Sequence, residues 1–454
     1  MRKYFGTDGI RRIANTELSP ELVYKVAKAG AYVLSKHTDH APTILIGRDT
    51  RISGSLIESA MVAGFLSYGA NVKILGVMPT PAVAYLTRRF KADASVVISA
   101  SHNTYEFNGV KYFSNKGMKI PDELEEEIEE VMDSGKIDEL TAVNDKIGVS
   151  EIRTDLLEEY VYFFRKNFEE ELENLDKENF VIAVDTANGA TSVVADKVFT
   201  VLGIKHHIIN DSPNGININE GCGSTHLEML KQYVIDKKCN LGIAYDGDGD
   251  RCLAVDENGN EIDGDKIIAI ISQYLKSKEK LNKDTIVATV MSNLGLNKYA
   301  KQNGLTFVQT KVGDRYVLEE MLKNGYNLGG EQSGHVICLD YNPTGDGILT
   351  SLMIIKAILE QGKKASEVAS IMKAYPQVLI NAKVLSDKKY DFDKDEEIKS
   401  AIEKLNKEFD GNGRVLIRAS GTEPLVRVMI EGENQEYIKA KAEKLAKLIE
   451  KKLS

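Results

Sequence analysis

The chain has 454 residues, 43% hydrophobic and 28% charged, with 58 Lys and Arg against 68 Asp and Glu for a formal net charge of −10. At about 150 residues per domain this length suggests roughly three domains, and the composition excludes whole-chain disorder. The acidic balance argues against a nucleic-acid or anionic-membrane partner, and no apolar run is long enough to span a bilayer. The opening Met1-Arg-Lys-Tyr-Phe lacks the apolar core of a signal peptide. Cys222, Cys239, Cys252 and Cys338 form no CxxC pair, so a cytoplasmic protein without a disulfide framework is expected.

Along the chain, Ser19-Pro20 places a capping hydroxyl before a proline suited to the first helical position. Leu22, Val23, Val26 and Val33 follow at helical spacing. Ile44 to Thr50 is an apolar run ending in polar loop residues, and helical periodicity follows from Ser55 to Tyr68. Gly69 ends that helix, and Asn71 to Val77 reads as the next strand. The acidic stretch Glu123 to Glu130 reads as a solvated helix face. Glu151 to Glu173 reads as one long helix bridging the first two domains.

The apolar-run opening recurs at Val181 and Ile286, which predicts βαβ units, mostly parallel sheets and three similar α/β domains in series. After about Ser370, strands are expected at Val378–Val384, Arg414–Ala419 and Leu425–Glu431, with helices near Lys394–Glu408 and Gln435–Lys452. The tight Ser420–Pro424 turn predicts antiparallel pairing and a fourth, smaller α+β domain. The expected boundaries are 1–153, 154–255, 256–370 and 371–454.

Four segments could carry chemistry. Asp246-Gly-Asp-Gly-Asp-Arg251 follows the apolar strand Leu241–Tyr245, and its alternating carboxylates suit Mg²⁺ or Ca²⁺. An EF-hand loop is excluded because Arg251 stands where that loop needs glycine, and a plain acidic turn is the competing reading. Ser99-Ala-Ser101-His-Asn follows the apolar run Ser95–Ile98, at the strand end where α/β sheets place ligands. A simple turn or helix cap competes there, and no Gly-x-Ser-x-Gly elbow, Walker loop or GxGxxG fingerprint is present. Arg418-Ala-Ser420-Gly421-Thr422, continuing to Arg427, looks like an anion cradle, with a capped turn bearing surface arginines as its rival. Gly329-Gly-Glu331-Gln-Ser333-Gly-His335 gathers carboxylate, hydroxyl and imidazole groups suited to a polyhydroxylated ligand.

In this order the four segments resemble the α-D-phosphohexomutase family over the whole chain. Phe5–Arg11, Gly221–His226, Lys311–Val317 and Glu331–His335, with Gln332 between Glu and Ser, resemble its hexosamine-phosphate branch. The resemblance implies four domains around a central cleft, three similar α/β domains plus a smaller C-terminal α+β domain. It implies a phosphorylated Ser101, Mg²⁺ held by Ser101, Asp246, Asp248 and Asp250, and Arg11, Lys111, Arg251 and His335 in motifs that approach the reacting phosphate. Lys111 is the candidate general base. Glu331 and Ser333 would read the sugar, while Arg418, Ser420, Gly421, Thr422 and Arg427 would hold the distal phosphate. The expected partner is a small sugar phosphate, with a hexosamine or hexose 1,6-bisphosphate as primer, no nucleic acid or membrane, and room for a homodimer. Arg12, Thr104 and Phe107 depart from the family pattern without removing a group the chemistry requires. A glucose or mannose phosphate substrate, a silent sugar-phosphate sensor and a phosphatase are the alternatives.

Overall fold

The structure is a computed structural model that describes residues 3–6, 8–36, 38–420 and 423–454. The chain forms two compact units, Met1–Met291 with Leu305–Ile371 and Ser292–Gly304 with Met372–Ser454.

The first unit begins with β1 (Ile10–Ile13), α1 (Pro20–Ser35), β2 (Thr43–Arg48), α2 (Gly54–Tyr68), β3 (Asn71–Val77), α3 (Thr80–Arg89), β4 (Ala94–Ile98), β5 (Phe107–Ser114), α4 (Asp122–Asp133) and β6 (Ser150–Ile152). It continues with α5 (Leu157–Glu173), β7 (Val181–Asp185), α6 (Ala195–Val201), β8 (Lys205–Ile209), α7 (Glu228–Lys237), β9 (Leu241–Tyr245), β10 (Cys252–Asp256) and β11 (Glu261–Ile262). Next come α8 (Gly264–Ser277), β12 (Thr285–Thr289), α9 (Leu294–Gln302), β13 (Thr306–Thr310), α10 (Asp314–Asn324), β14 (Leu328–Gly330), β15 (Val336–Cys338), α11 (Gly347–Gln361) and α12 (Ala365–Ala369). Of these, α9 belongs to the second unit.

The sheets run β1-β5-β4-β2-β3-β6, β11-β10-β9-β7-β8 and β13-β12-β14-β15. All three share one device. Two strands pair in parallel, a third joins them in parallel, and the chain then turns back antiparallel as β5, β10 or β15. These returns make the sheets mixed rather than mostly parallel. They also give each domain one short loop at the carboxyl end of its third parallel strand, where open sheets place ligands. Ser99–Ser101, Asp246–Arg251 and Glu331–His335 occupy those three loops.

Local chemistry explains much of the framework. Ser19 caps α1 by accepting the Leu22 N–H at 3.3 Å, with Pro20 in the first turn. The apolar face of α1 buries Val23, Val26 and Val33 against Ile57, Met61 and Phe65 of α2 and Ile44, Ile46, Val96 and Ile98 of the sheet. Two expectations need correction. Residues 150–152 form β6, pairing in parallel with β3, so the helix begins only at Leu157. Nor is the acidic face of α4 wholly solvated. Glu129 is buried and accepts the backbone N–H groups of Lys3, Tyr4 and Phe5 at 2.7, 2.6 and 2.7 Å, pinning the N-terminal segment.

The second unit contains α9, β16 (Gln377–Lys383), α13 (Glu396–Phe409), β17 (Gly413–Ala419), β18 (Leu425–Gly432) and α14 (Gln435–Leu453). Its sheet, β16-β18-β17, is antiparallel throughout. Ile398, Leu405 and Phe409 of α13 and Ile438, Leu445 and Ile449 of α14 cover Val426, Val428 and Ile430. Asn293 ties α9 in by accepting the N–H groups of Gly295 and Tyr375, both at 2.9 Å. The four cysteines are free and buried, and no helix among the described residues is long and apolar enough to cross a membrane.

Candidate active site

The turn after β4 holds Ser101 in the left-handed region, at φ 52°. Its N–H donates to Ser99 Oγ at 2.9 Å, and its hydroxyl donates to Asp246 Oδ2 at 2.6 Å. The turn after β9 brings the ligand oxygens of Asp246, Asp248 and Asp250 within 4.8 Å of one another. Glycine between them is a steric requirement: a Cβ on Gly247 would stand 2.6 Å from the Ser101 carbonyl oxygen, and Gly249 has φ +72°.

All three carboxylates are buried, and Asp248 Oδ1 and Asp250 Oδ1 have no hydrogen-bond partner among the described residues. Burial, reinforced by Asp250 and Asp248, pushes Asp246 well above the ordinary carboxylate range. A hard divalent cation answers both features, since it takes oxygen ligands and removes the mutual repulsion. The trio therefore fits Mg²⁺.

Positive charge surrounds this floor. Lys111 projects from β5, buried, with Nζ 3.0 Å from Asp248, 3.1 Å from Asp8 and 3.8 Å from Asp250. Burial opposes its charge, yet Asp248, Asp8 and Asp250 outweigh that and raise its pKa. Held this way Lys111 carries its proton, which suits neutralising phosphate or donating a proton better than the expected role of general base. Burial likewise acts upward on Asp250, but Lys111, His335 and Arg251 hold it below the usual carboxylate range. Arg11 pairs with Asp8 at 2.8 Å and donates to Asn103 Oδ1 at 2.9 Å. Burial, with Arg251 and Arg11 nearby, lowers His102 to about 4, so it is neutral at physiological pH.

The turn after β14 supplies the third group. Gly313 N–H donates to Glu331 Oε1 at 3.1 Å, and Ser333 Oγ is buried without a hydrogen-bond partner among the described residues. His335 Nε2 accepts the Gly345 N–H at 3.0 Å while Nδ1 stands 3.6 Å from Asp250. The first contact needs a ring lone pair; burial also lowers the pKa, but Asp314 and Asp250 more than offset it. Arg11, His102, Asp250, Arg251, Glu331 and His335 line one cavity of about 610 Å³. Gln332, part of the hexosamine resemblance, instead donates to Asp263 Oδ2 at 3.2 Å, at the cap of α8.

In the second unit, Arg418 and Arg427 lie directly opposite each other on β17 and β18. Burial and then Arg427 lower the Arg418 pKa, and the ion pair of Arg427 with Glu423 is long, at 3.8 Å. Ser420 Oγ accepts the Glu423 N–H at 3.3 Å, and Lys389 adds a cation at the Ser420 carbonyl at 2.9 Å. Gly421 and Thr422 lie outside the described residues.

Several residues escaped the sequence reading. Lys119 Nζ bridges Asp8 at 2.5 Å and Asp314 at 2.6 Å, linking the first and third domains at the cavity wall. Asp8 and Asp314 sit inside stretches used for the resemblance, so their motifs could have flagged them. Lys119 and Thr80, which donates to Asp248 Oδ2 at 2.6 Å, carry no local signal.

Comparison with known proteins bears on the family. The chain matches the descriptions "Phosphoglucomutase/phosphomannomutase, alpha/beta/alpha domain I" over residues 2–138, domain II over 158–259, domain III over 263–375 and the C-terminal domain over 379–448. It is 53% identical over 454 residues to the phosphoglucosamine mutase of Ruminiclostridium cellulolyticum, and 52% identical over 452 residues to that of Clostridium tetani, covering 100% of each chain. Among solved structures, a phosphoglucomutase/phosphomannomutase family protein from Burkholderia thailandensis superposes with a TM-score of 0.78 at 20% identity, covering 98% of this chain and 97% of that one. The Aspergillus fumigatus N-acetylphosphoglucosamine mutase, in complex with GlcNAc-6P and magnesium, gives 0.71 at 17% identity, covering 100% of this chain and 96% of that one. With full-length relatives at this identity and four domain matches in order, the chain belongs to the phosphoglucomutase/phosphomannomutase family, among the members named phosphoglucosamine mutases.

Proposed function

We propose that this chain interconverts glucosamine 6-phosphate and glucosamine 1-phosphate, with Ser101 carrying the phosphoryl group between them. It is an isomerase acting as an intramolecular phosphotransferase, and its product supplies UDP-N-acetylglucosamine and cell-wall precursors. One observation carries the reading: a serine hydroxyl, a carboxylate trio and a Glu331–His335 loop meet from the equivalent hairpins of three domains.

Phosphorylated Ser101 passes its phosphoryl group to the free 1- or 6-hydroxyl of the sugar. The P–Oγ bond breaks, a P–O bond to the sugar oxygen forms, and the hydroxyl proton is transferred in balance to Ser101 Oγ. The 1,6-bisphosphate turns over and returns its other phosphoryl group by the reverse step. Asp246, Asp248, Asp250 and a phosphoserine oxygen would hold Mg²⁺, which neutralises charge on the transferring oxygens. Lys111, Arg11 and Arg251 add fixed positive charge around the phosphate, and His335 orients Asp250. Glu331 and Ser333 read the sugar hydroxyls. Arg418, Ser420, Gly421, Thr422 and Arg427 hold whichever phosphate is not reacting. A hexosamine or hexose 1,6-bisphosphate primes Ser101. The reading places the enzyme in the cytoplasm, and sedimentation would test the homodimer that accompanies it.

The test is ³¹P NMR of glucosamine 6-phosphate with enzyme, Mg²⁺ and a trace of 1,6-bisphosphate. Conversion to the 1-phosphate is expected, with glucosamine favoured over glucose at least tenfold in kcat/KM, or about 1.4 kcal/mol. Release of inorganic phosphate without 1-phosphate would show a phosphatase instead. Equal efficiency on glucose 6-phosphate would overturn the sugar assignment.

A further inference from the structure

The carbonyl groups of Ser101 and Asn103 each receive two side-chain donors. Arg51 Nη2 donates to them at 3.2 and 2.5 Å. Asn219 Nδ2 donates to the same pair at 2.9 and 2.8 Å. Arg51 lies between β2 and α2 in the first domain, and Asn219 lies between β8 and α7 in the second. Both are buried, at 1% and 3% exposure.

The donors are themselves held in place. Arg51 forms a buried ion pair with Asp49, and its backbone N–H donates to Asp49 Oδ1 at 3.0 Å. The Asn219 backbone N–H donates to the Ala187 carbonyl at 2.9 Å. The peptide planes that follow Ser101 and Asn103 are thus fixed from both domains. A backbone carbonyl oxygen carries two lone pairs, and at both sites each is taken by a donor from a different domain, so the loop is held from two sides.

What the arrangement constrains is the left-handed Ser101, at φ 52°. A side-chain-bearing residue keeps such a conformation only where its surroundings over-determine it. That conformation directs the hydroxyl at Asp246 Oδ2, 2.6 Å away. The carboxylate loop abuts the same point, since a Cβ on Gly247 would lie 2.6 Å from the Ser101 carbonyl oxygen and 2.8 Å from Asn219 Nδ2.

We propose that Arg51 and Asn219 are positioning residues that hold Ser101 Oγ against the carboxylate loop in the geometry phosphoryl transfer requires. This rests on Ser101 as the phosphoryl carrier. Both side chains are buried and neither lines the cavity of about 610 Å³, so their removal should affect the transfer rate and leave sugar-phosphate binding in place. Displacing a reacting atom by about 1 Å costs on the order of 100-fold.

The experiment follows phosphoserine formation by time-resolved intact mass, using full-length wild type, Asn219→Ala and Arg51→Lys with Mg²⁺ and glucosamine 1,6-bisphosphate. Thermal midpoints and a kcat against KM comparison accompany it. In both variants the rate should fall about 10- to 100-fold, with KM within about twofold of wild type. Arg51→Lys keeps a charge beside Asp49 but loses the fork that reaches two carbonyls; if it does not fold, Asn219→Ala decides. Variants that take up phosphate at the wild-type rate, whatever their thermal midpoint, would overturn the proposal. So would a loss that tracks only the fraction of folded protein. A wild type that gains no phosphate at Ser101 would bring down the carrier assignment as well, and the wild-type trace alone tells that failure from the others.

Discussion

The cluster around Asp248 and the strand pair bearing Arg418 and Arg427 both handle phosphate in the proposed reaction, but they manage charge in opposite ways. At Asp248 the acids and bases are interleaved: Lys111 lies 3.0 Å away, Thr80 2.6 Å away, and Asp8 and Asp250 complete the surround of the lysine. At Arg418 two guanidiniums face each other across β17 and β18, and among the described residues the ion pair of Arg427 is a long one with Glu423. Like charges directly opposite in an antiparallel pair are unfavourable. That cost is bearable because the Arg427 side chain keeps 32% of its exposure, whereas a fully buried charge without a partner costs several kcal/mol. The first region ties function to folding. The second, in the proposed reaction, offers its unbalanced charge to an anion, and the fold is expected to be nearly indifferent to it.

The largest expected effect falls on the nucleophile. Ser101→Ala removes a hydroxyl and no charge, so both regions stay intact while turnover falls by more than about 10⁴-fold, on the scale seen when a nucleophile is deleted. Lys111→Met tests charge interleaving directly. It leaves Asp248, Asp8 and Asp250 short of their shared cation, and urea denaturation should show a loss of about 3–5 kcal/mol. The loss should be largest in EDTA and partly reversed by Mg²⁺; an equal loss in both buffers would separate the lysine from the metal site.

Asp248→Asn comes next. Mg²⁺ affinity measured by calorimetry should fall at least about 10- to 100-fold, and EDTA should silence the wild type until Mg²⁺ is restored. Smallest in total effect is Arg427→Ala. Both the 1- and 6-phosphates should lose about 1.5–3 kcal/mol in KM, while stability changes by no more than about 0.5 kcal/mol. A large stability loss there would erase the contrast between the two regions.

The placement of the candidate loops was legible in the sequence because each is a short string of polar residues directly after an apolar strand. Asp246–Arg251 follows β9 and Ser99–Ser101 follows β4, so local composition reports their position at the carboxyl ends of strands. The three-fold domain pattern was legible for the same reason. What stayed hidden depends on partners far along the chain. Glu129 looks like any acid on an acidic helix until the N–H groups of residues 3–5 arrive at its carboxylate. Lys119 acquires meaning only from Asp8 and Asp314, and Arg51 only from carbonyls on another loop. The strand β6 was read as helix because its three residues carry no alternation and pair only with the sheet edge. Gln332 shows the converse: a residue that marks the branch by resemblance is engaged with Asp263 at the end of a helix.

The most direct measurement of the central claim is the mass of wild type and Ser101→Ala before and after incubation with glucosamine 1,6-bisphosphate and Mg²⁺, followed by peptide mapping. One added phosphoryl group is expected on the Ser101 peptide of the wild type, discharged on adding glucosamine 6-phosphate, and none on the variant. Phosphate mapped elsewhere, or full turnover by the Ser101→Ala enzyme, would contradict that claim.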